Sequence, residues 1–110
     1  MSIIDINDLR ASILAGQILW TEHLILRLRE RHIKRDDIIS CIQNGEIVEQ
    51  YPDDIPFPSC LILGNNTNKK PLHVICAINQ DSYCCMISAY YPDPNKWELN
   101  NKTRKAEKAV

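Results

Sequence analysis

Three side chains able to move a proton or hold an anion, His23, Arg27 and Arg31, recur every fourth residue within the segment WTEHLILRLRERHI. Residues four apart share one side of an α-helix, so this spacing predicts a cationic ridge about 12 Å long. Arginine grips phosphate oxygens in pairs while keeping its charge, and histidine, with an ordinary pKa of about 6.5, takes or gives a proton at neutral pH. A second histidine, His73, and the hydroxyls of Tyr51, Ser88, Tyr90 and Tyr91 follow later in the chain. Metal-free cleavage of a phosphodiester by a neighbouring hydroxyl needs a base for that hydroxyl, cations for the phosphorane and an acid for the leaving oxygen. The set matches that list. His23 and His73 would be base and acid in unassigned order, and Arg27 and Arg31 the phosphate clamp. Tyr51 or Tyr90 would stack on an unpaired base or donate a proton.

Each of these residues also has a plainer role. A helical or strand histidine is commonly a hydrogen-bonded structural group, Arg27 can pair with Glu30 or with Asp53 and Asp54, and Tyr51 before Pro52 can simply pack at a strand end. The ridge then becomes a binding surface without catalysis, or an ion-pair girdle. Arg29 projects away from it, His32 takes no role, and Trp20 and Trp97 read as core or rim anchors. A metal site from His23, His73 and a cysteine follows no zinc spacing, so neither metal nor other cofactor is expected.

The elements that must position these groups follow from local patterns. Asn7 or Asp8 can cap a first helix that buries Leu9, Ile13 and Leu14 and stops at Gly16. Thr21 caps the ridge helix, whose Leu24, Ile25 and Leu28 form the buried arc; the alternation Leu26-Arg27-Leu28-Arg29 also allows a strand. Asp36 and Asp37 open a third helix with Ile38, Ile39, Cys41 and Ile42 inward and Asn44-Gly45 as a left-handed stop. Four strands follow, at 46–51, 59–63, 72–79 and 83–90, the last two apolar on both faces. A two-residue turn at Gln80-Asp81 pairs Asn79 with Ser82, which puts His73 opposite Ser88 with Tyr90 next on the same face. A slip of one residue would send His73 to the other face. The expected architecture is α+β, with N-terminal helices packed on an antiparallel sheet of about four strands.

A chain of 110 residues with 45% hydrophobic and 25% charged residues fits one globular domain, here a first helix to residue 19, a core over 20–97 and a basic, frayed tail over 98–110. No apolar run nears the roughly 20 residues of a membrane span, and no secretory signal opens the chain, so a cytoplasmic protein is expected. Five cysteines without C-x-x-C spacing fit reduced core thiols; Cys84 and Cys85 could form a redox pair only if adjacent strand residues shared a face. The net charge of −1 hides a basic stretch, Arg27 to Arg35, and an acidic one, Glu46 to Asp54.

The motifs W-T-x-H-x-x-x-R-x-x-x-R, D-D-I, N-G-E-I-V-E-x-Y-P-D-D, P-x-P-S-C-L-x-L-G, P-L-H-V-I and S-A-Y-x-P-D resemble a small bacterial family, domain of unknown function 4258. The likeness runs from about Trp20 to Trp97. It marks Thr21, His23, Arg27, Arg31, Tyr51, Pro52, Leu72, His73 and Tyr90, with Ser88 where that family more usually has threonine and with Tyr91 as an extra. Its layout is similar to RelE-type ribonuclease toxins, which implies RNA as substrate and an antitoxin protein as partner. An exposed sheet edge would offer such a partner's tail a strand to pair with.

Overall fold

A computed structural model describes residues 3–106. Three helices, α1 (Ile6–Leu14), α2 (Glu22–Glu30) and α3 (Arg35–Asn44), precede most of a five-stranded sheet: β1 (Ile18–Leu19), β2 (Glu46–Tyr51), β3 (Ser59–Asn65), β4 (Pro71–Ile78) and β5 (Cys84–Tyr90). The strand order is β1-β5-β4-β3-β2. The expected α+β class and four-strand antiparallel run are present, but the sheet is mixed, because β1 pairs in parallel with β5 through Ile18 and Cys84. Two residues without a turn signature leave no periodicity to read, which is why β1 escapes prediction.

Local chemistry accounts for the helix ends. Asp5, rather than Asn7 or Asp8, caps α1 by accepting the Asn7 N–H at 2.9 Å. Gly16, at φ +72°, closes the helix, with its N–H donating to Ile13 and that of Gln17 to Ser12. Leu14 is solvent-exposed, at 82%, so the first helix buries less than its pattern suggests. Thr21 caps α2 through the Leu24 N–H, and His32 takes the left-handed position after it. Asp37 ties α3 to the β3–β4 turn. One carboxylate oxygen accepts the Lys34 N–H, and the other accepts both the N–H and the hydroxyl of Thr67. Burial raises its pKa, yet these hydrogen bonds overcome that and hold the carboxyl below its ordinary value.

Gly45 is not the left-handed stop expected of it. Its backbone is extended, and glycine is needed there because a Cβ would run into the Cys41 and Leu63 carbonyls. Gly64 faces the same Cys41 carbonyl, so α3 lies directly on the start of β2 and the end of β3.

The core lies between helices and sheet. Leu9, Leu24, Leu28, Ile38, Cys41 and Ile42 meet Cys60, Ile62, Leu72, Val74, Cys76, Cys84 and Met86. The cysteines are free, and all but the partly exposed Cys85 are buried. Cys84 and Cys85 point to opposite faces, as adjacent strand residues must. Burial pushes the Cys41 thiol up to about 12. Among the described residues, no helix is long and apolar enough to cross a membrane.

Gly64→Ala should therefore cost about 2–3 kcal/mol or more in urea unfolding, because a backbone carbonyl cannot step aside for the added methyl. Gly16→Ala, strained but in open space, should cost about 1 kcal/mol. Equal losses at the two positions would contradict the close seat of α3.

Candidate functional site

The hairpin β4–β5 decides where His73 points. Its loop is one residue longer than a two-residue turn: Asn79 N–H donates to Tyr83, and Ser82 adopts φ +63°. A bulge at Ile87 adds a second offset, so His73 faces Tyr90, and Ser88 faces Ile75. Two one-residue shifts restore the original face. His73, Ser88 and Tyr90 thus share one side as expected, although His73 and Ser88 are not direct partners.

That side is the one turned away from the helices. Leu72, Val74 and Cys76 enter the helical core, and His73 between them must point the other way. His23 stands exposed on α2, whose Leu24 and Leu28 lie in that same core. The structure does not bring His23 and His73 together: the sheet separates them, and no single phosphate can touch both. The paired-histidine mechanism is corrected accordingly.

The ridge itself divides. His23 and Arg27 are exposed, with no ion pair among the described residues. Arg31 caps the helix, half-buried, and its Nη1 donates to the Ala89 carbonyl at 2.8 Å. This reach brings its charge to bear on the Tyr90 phenol, whose pKa is nonetheless raised, chiefly by burial. Of the three ridge residues, Arg31 is the one that hydrogen-bonds to the hairpin among the described residues.

On the far face, strand alternation and the β2 bulge collect a second group. Glu49 pairs with Leu61, and Tyr51 with Ser59, on the side of Ile75 and Ala77. The Tyr51 hydroxyl donates to Glu49, and the Arg104 guanidinium grips both Glu49 oxygens at 3.0 Å. The Arg104 hydrogen bonds hold the Glu49 carboxyl below its ordinary range. Burial and the Glu49 contact push Tyr51 up to about 12. His73 is fully buried, 5.4 Å from the Tyr90 ring and 4.6 Å from that of Trp97, edge to face with both. Its Nε2–H donates to the Asn101 carbonyl at 2.8 Å, while Nδ1 has no partner among the described residues.

Two of these contacts, from Asn101 and Arg104, come from the tail over 98–110 that is expected to fray, and the third comes from Trp97 just before it. Residues 96–105 fold back on themselves, Trp97 bridging to Arg104 and the Lys105 N–H donating to Lys96, and lie against the sheet. Trp97 is buried, Arg104 stacks on it at 4.6 Å, and Lys102 pairs with Glu46 at 2.7 Å. The order extends through residue 106; residues 107–110 of the predicted tail lie outside the described residues. Glu49, Trp97, Asn101 and Arg104 carry no catalytic spacing in the sequence. Only the alternation over 46–51 hinted that Glu49 and Tyr51 share a face. Among the described residues, no three His, Cys, Asp or Glu side chains are placed to hold a metal ion.

Three helices on one face of a mixed sheet, with a polar cluster under a C-terminal strap on the other, define a small α+β domain. The chain belongs to the family described as Domain of unknown function (DUF4258), whose model matches residues 20–91. No curated protein and no solved structure matches it.

Burial lowers the pKa of His73 most, against the opposing pull of the Asn101 carbonyl and Glu49 and with a smaller push from Arg104. Protonation would also place an N–H at Nδ1 facing no acceptor. A depressed folded pKa makes this contribution complete above the unfolded value of 6.5 and progressively lost below it. Mild acid should therefore release Trp97, seen as a fluorescence change in a Trp20→Phe background, and His73→Gln should remove that dependence. An acid transition unchanged by His73→Gln would reassign it to Glu49 or other carboxylates.

Proposed function

We propose that this protein binds RNA through the basic surface formed by α2, the turn after it and the start of α3. The observation that carries this reading is the pairing of charges. Both ion pairs among the described residues use cations of the C-terminal segment, Lys102 and Arg104, while Arg27, Arg29, Lys34 and Arg35 stand exposed and unpaired. Glu22, Glu30 and Asp36 are close in sequence yet leave them so. Cations that form no ion pair suit a polyanion, whose condensed counterions are released on binding. Trp20, half-buried beneath Arg35 at 5.3 Å, borders a groove of about 360 Å³ with Thr21, Ile25, Leu26 and Arg29, and its indole offers a stacking surface for an unpaired base.

A second reading, that of a toxin-like, metal-independent endoribonuclease neutralised by an antitoxin in the cytoplasm, is favoured by one feature. The ridge ends at Arg31, whose charge reaches Tyr90 on the face that also carries Glu49, Tyr51, Ser88 and His73. The likeness to RelE-type toxins belongs to this reading. Growth arrest on expression, relieved by a neighbouring gene product, would support it over binding alone.

Binding of a single-stranded RNA oligonucleotide, followed by fluorescence anisotropy across a salt series, tests the primary reading. Arg27→Ala and Arg35→Ala should each weaken binding and lower the slope of log K against log salt by about 0.7 per lost contact. Lys69→Ala, on the β3–β4 turn, should change neither. Absence of binding at low salt, or ridge variants indistinguishable from the parent, would remove the proposal.

A further inference from the structure

We propose that residues 92–106 are a displaceable strap over an acid–base site for an RNA phosphodiester, in which Glu49 and His73 are the proton carriers. This inference rests on the ribonuclease reading above.

Four observations lead to it. First, Glu49, Tyr51, His73 and Tyr90 converge from β2, β4 and β5 on one face, and Glu49 and His73 lie close enough for each charge to act on the other. Second, His73 is wholly buried with one ring nitrogen orphaned, whereas a structural histidine in a settled core has both nitrogens partnered. Third, the strap gives each group a contact that a ribonucleotide could replace. The Asn101 carbonyl oxygen accepts from His73 where a phosphate or leaving oxygen would sit, and the Trp97 ring covers the imidazole edge to face, filling space that a nucleotide would take. Fourth, every one of the sheet residues falls within the family match, and the strap lies beyond it.

The strap is held lightly. Trp97 is its only buried side chain, Leu99 is fully exposed, Lys102 and Glu46 pair in the open, and Arg104 is exposed where it meets the more sheltered Glu49. Such pairs are screened by salt, and a segment with so few buried contacts opens ahead of the sheet beneath it.

With the strap displaced, the Glu49 carboxylate takes the proton from a ribose 2′-OH, and the 2′ oxygen forms a bond to phosphorus. The bond from phosphorus to the 5′ oxygen breaks, and that oxygen receives a proton from His73, solvated and protonated once exposed. The products are a 2′,3′-cyclic phosphate and a 5′-hydroxyl, with no oxidant or metal required. Arg31, hydrogen-bonded to the Ala89 carbonyl beside Tyr90, is the ridge cation placed to meet charge on the reacting phosphate.

The test uses the full chain carrying Lys102→Glu and Arg104→Glu, which turn both attractions into repulsions at exposed positions and remove the Arg104 stack on Trp97, leaving the core between helices and sheet untouched. Its strap should become sensitive to trypsin at Lys105, and cleavage of single-stranded RNA in EDTA should rise about tenfold or more over the parent. Adding Glu49→Gln should then cut the rate by about a hundredfold, as should His73→Gln, with an all-DNA strand left intact. Trp97→Ala supplies a second route to release if the charge reversals leave the strap in place. A released strap with no gain in cleavage, or cleavage indifferent to Glu49→Gln, overturns the proposal. Ridge-dependent RNA binding in those same samples would show that the binding proposal stands apart from this failure, and loss of both would remove the two together.

Discussion

Alternation along β4 is the constraint on which the rest of the molecule depends. Leu72, Val74 and Cys76 must enter the helical core, so His73, Ile75 and Ala77 must face the other way. Because β4 is the central strand, its neighbours inherit this division, and each row of cross-strand partners falls on either the helical face or the far face. A histidine on the far side of a central strand requires a cover, and the C-terminal strap supplies it with Trp97 and the Asn101 carbonyl. At His73 the sheet is therefore covered on both faces by different means, an apolar helical layer on one side and a thin strap on the other, while Ile87 on the far face stays exposed.

Electrostatics follows the same division. The helical side carries unpaired cations on α2 and at the start of α3, and the far side carries Glu46 and Glu49, neutralised by the strap's own Lys102 and Arg104. A net charge of −1 thus conceals two surfaces with opposite needs, one left open to an anion and one already supplied with cations. Arg31 connects them. By satisfying the Ala89 carbonyl beyond the short β1, it fixes the end of the ridge against the sheet edge.

Much of the fold was legible because local patterns and packing agree. Thr21 as a cap, Gly16 as a stop, the buried arc Leu24, Ile25, Leu28 and the four antiparallel strands all appear where periodicity and turn chemistry put them. The misses have local causes. Leu14 lies at a helix end with no partner layer over it, and β1 is too short to show a period. Gly45 is demanded by a carbonyl from another element rather than by its own φ. The hairpin register is the instructive case, since a longer loop and a bulge each moved the pairing by one residue and their sum kept His73 on the intended face.

The sequence alone determined the types of chemistry available: a run of cations at helical spacing, a histidine between apolar residues on a strand, hydroxyls at strand ends and cysteines suited to a core. Those depend on intervals of a few residues, which helix and strand geometry translate directly into faces. Tertiary structure decided which of these groups meet. His23 and His73 are parted by the thickness of the sheet, whereas Glu49, His73 and Arg104, separated by dozens of residues, are neighbours. Pairings across such distances arise from layer packing and strand order, and no local interval encodes them.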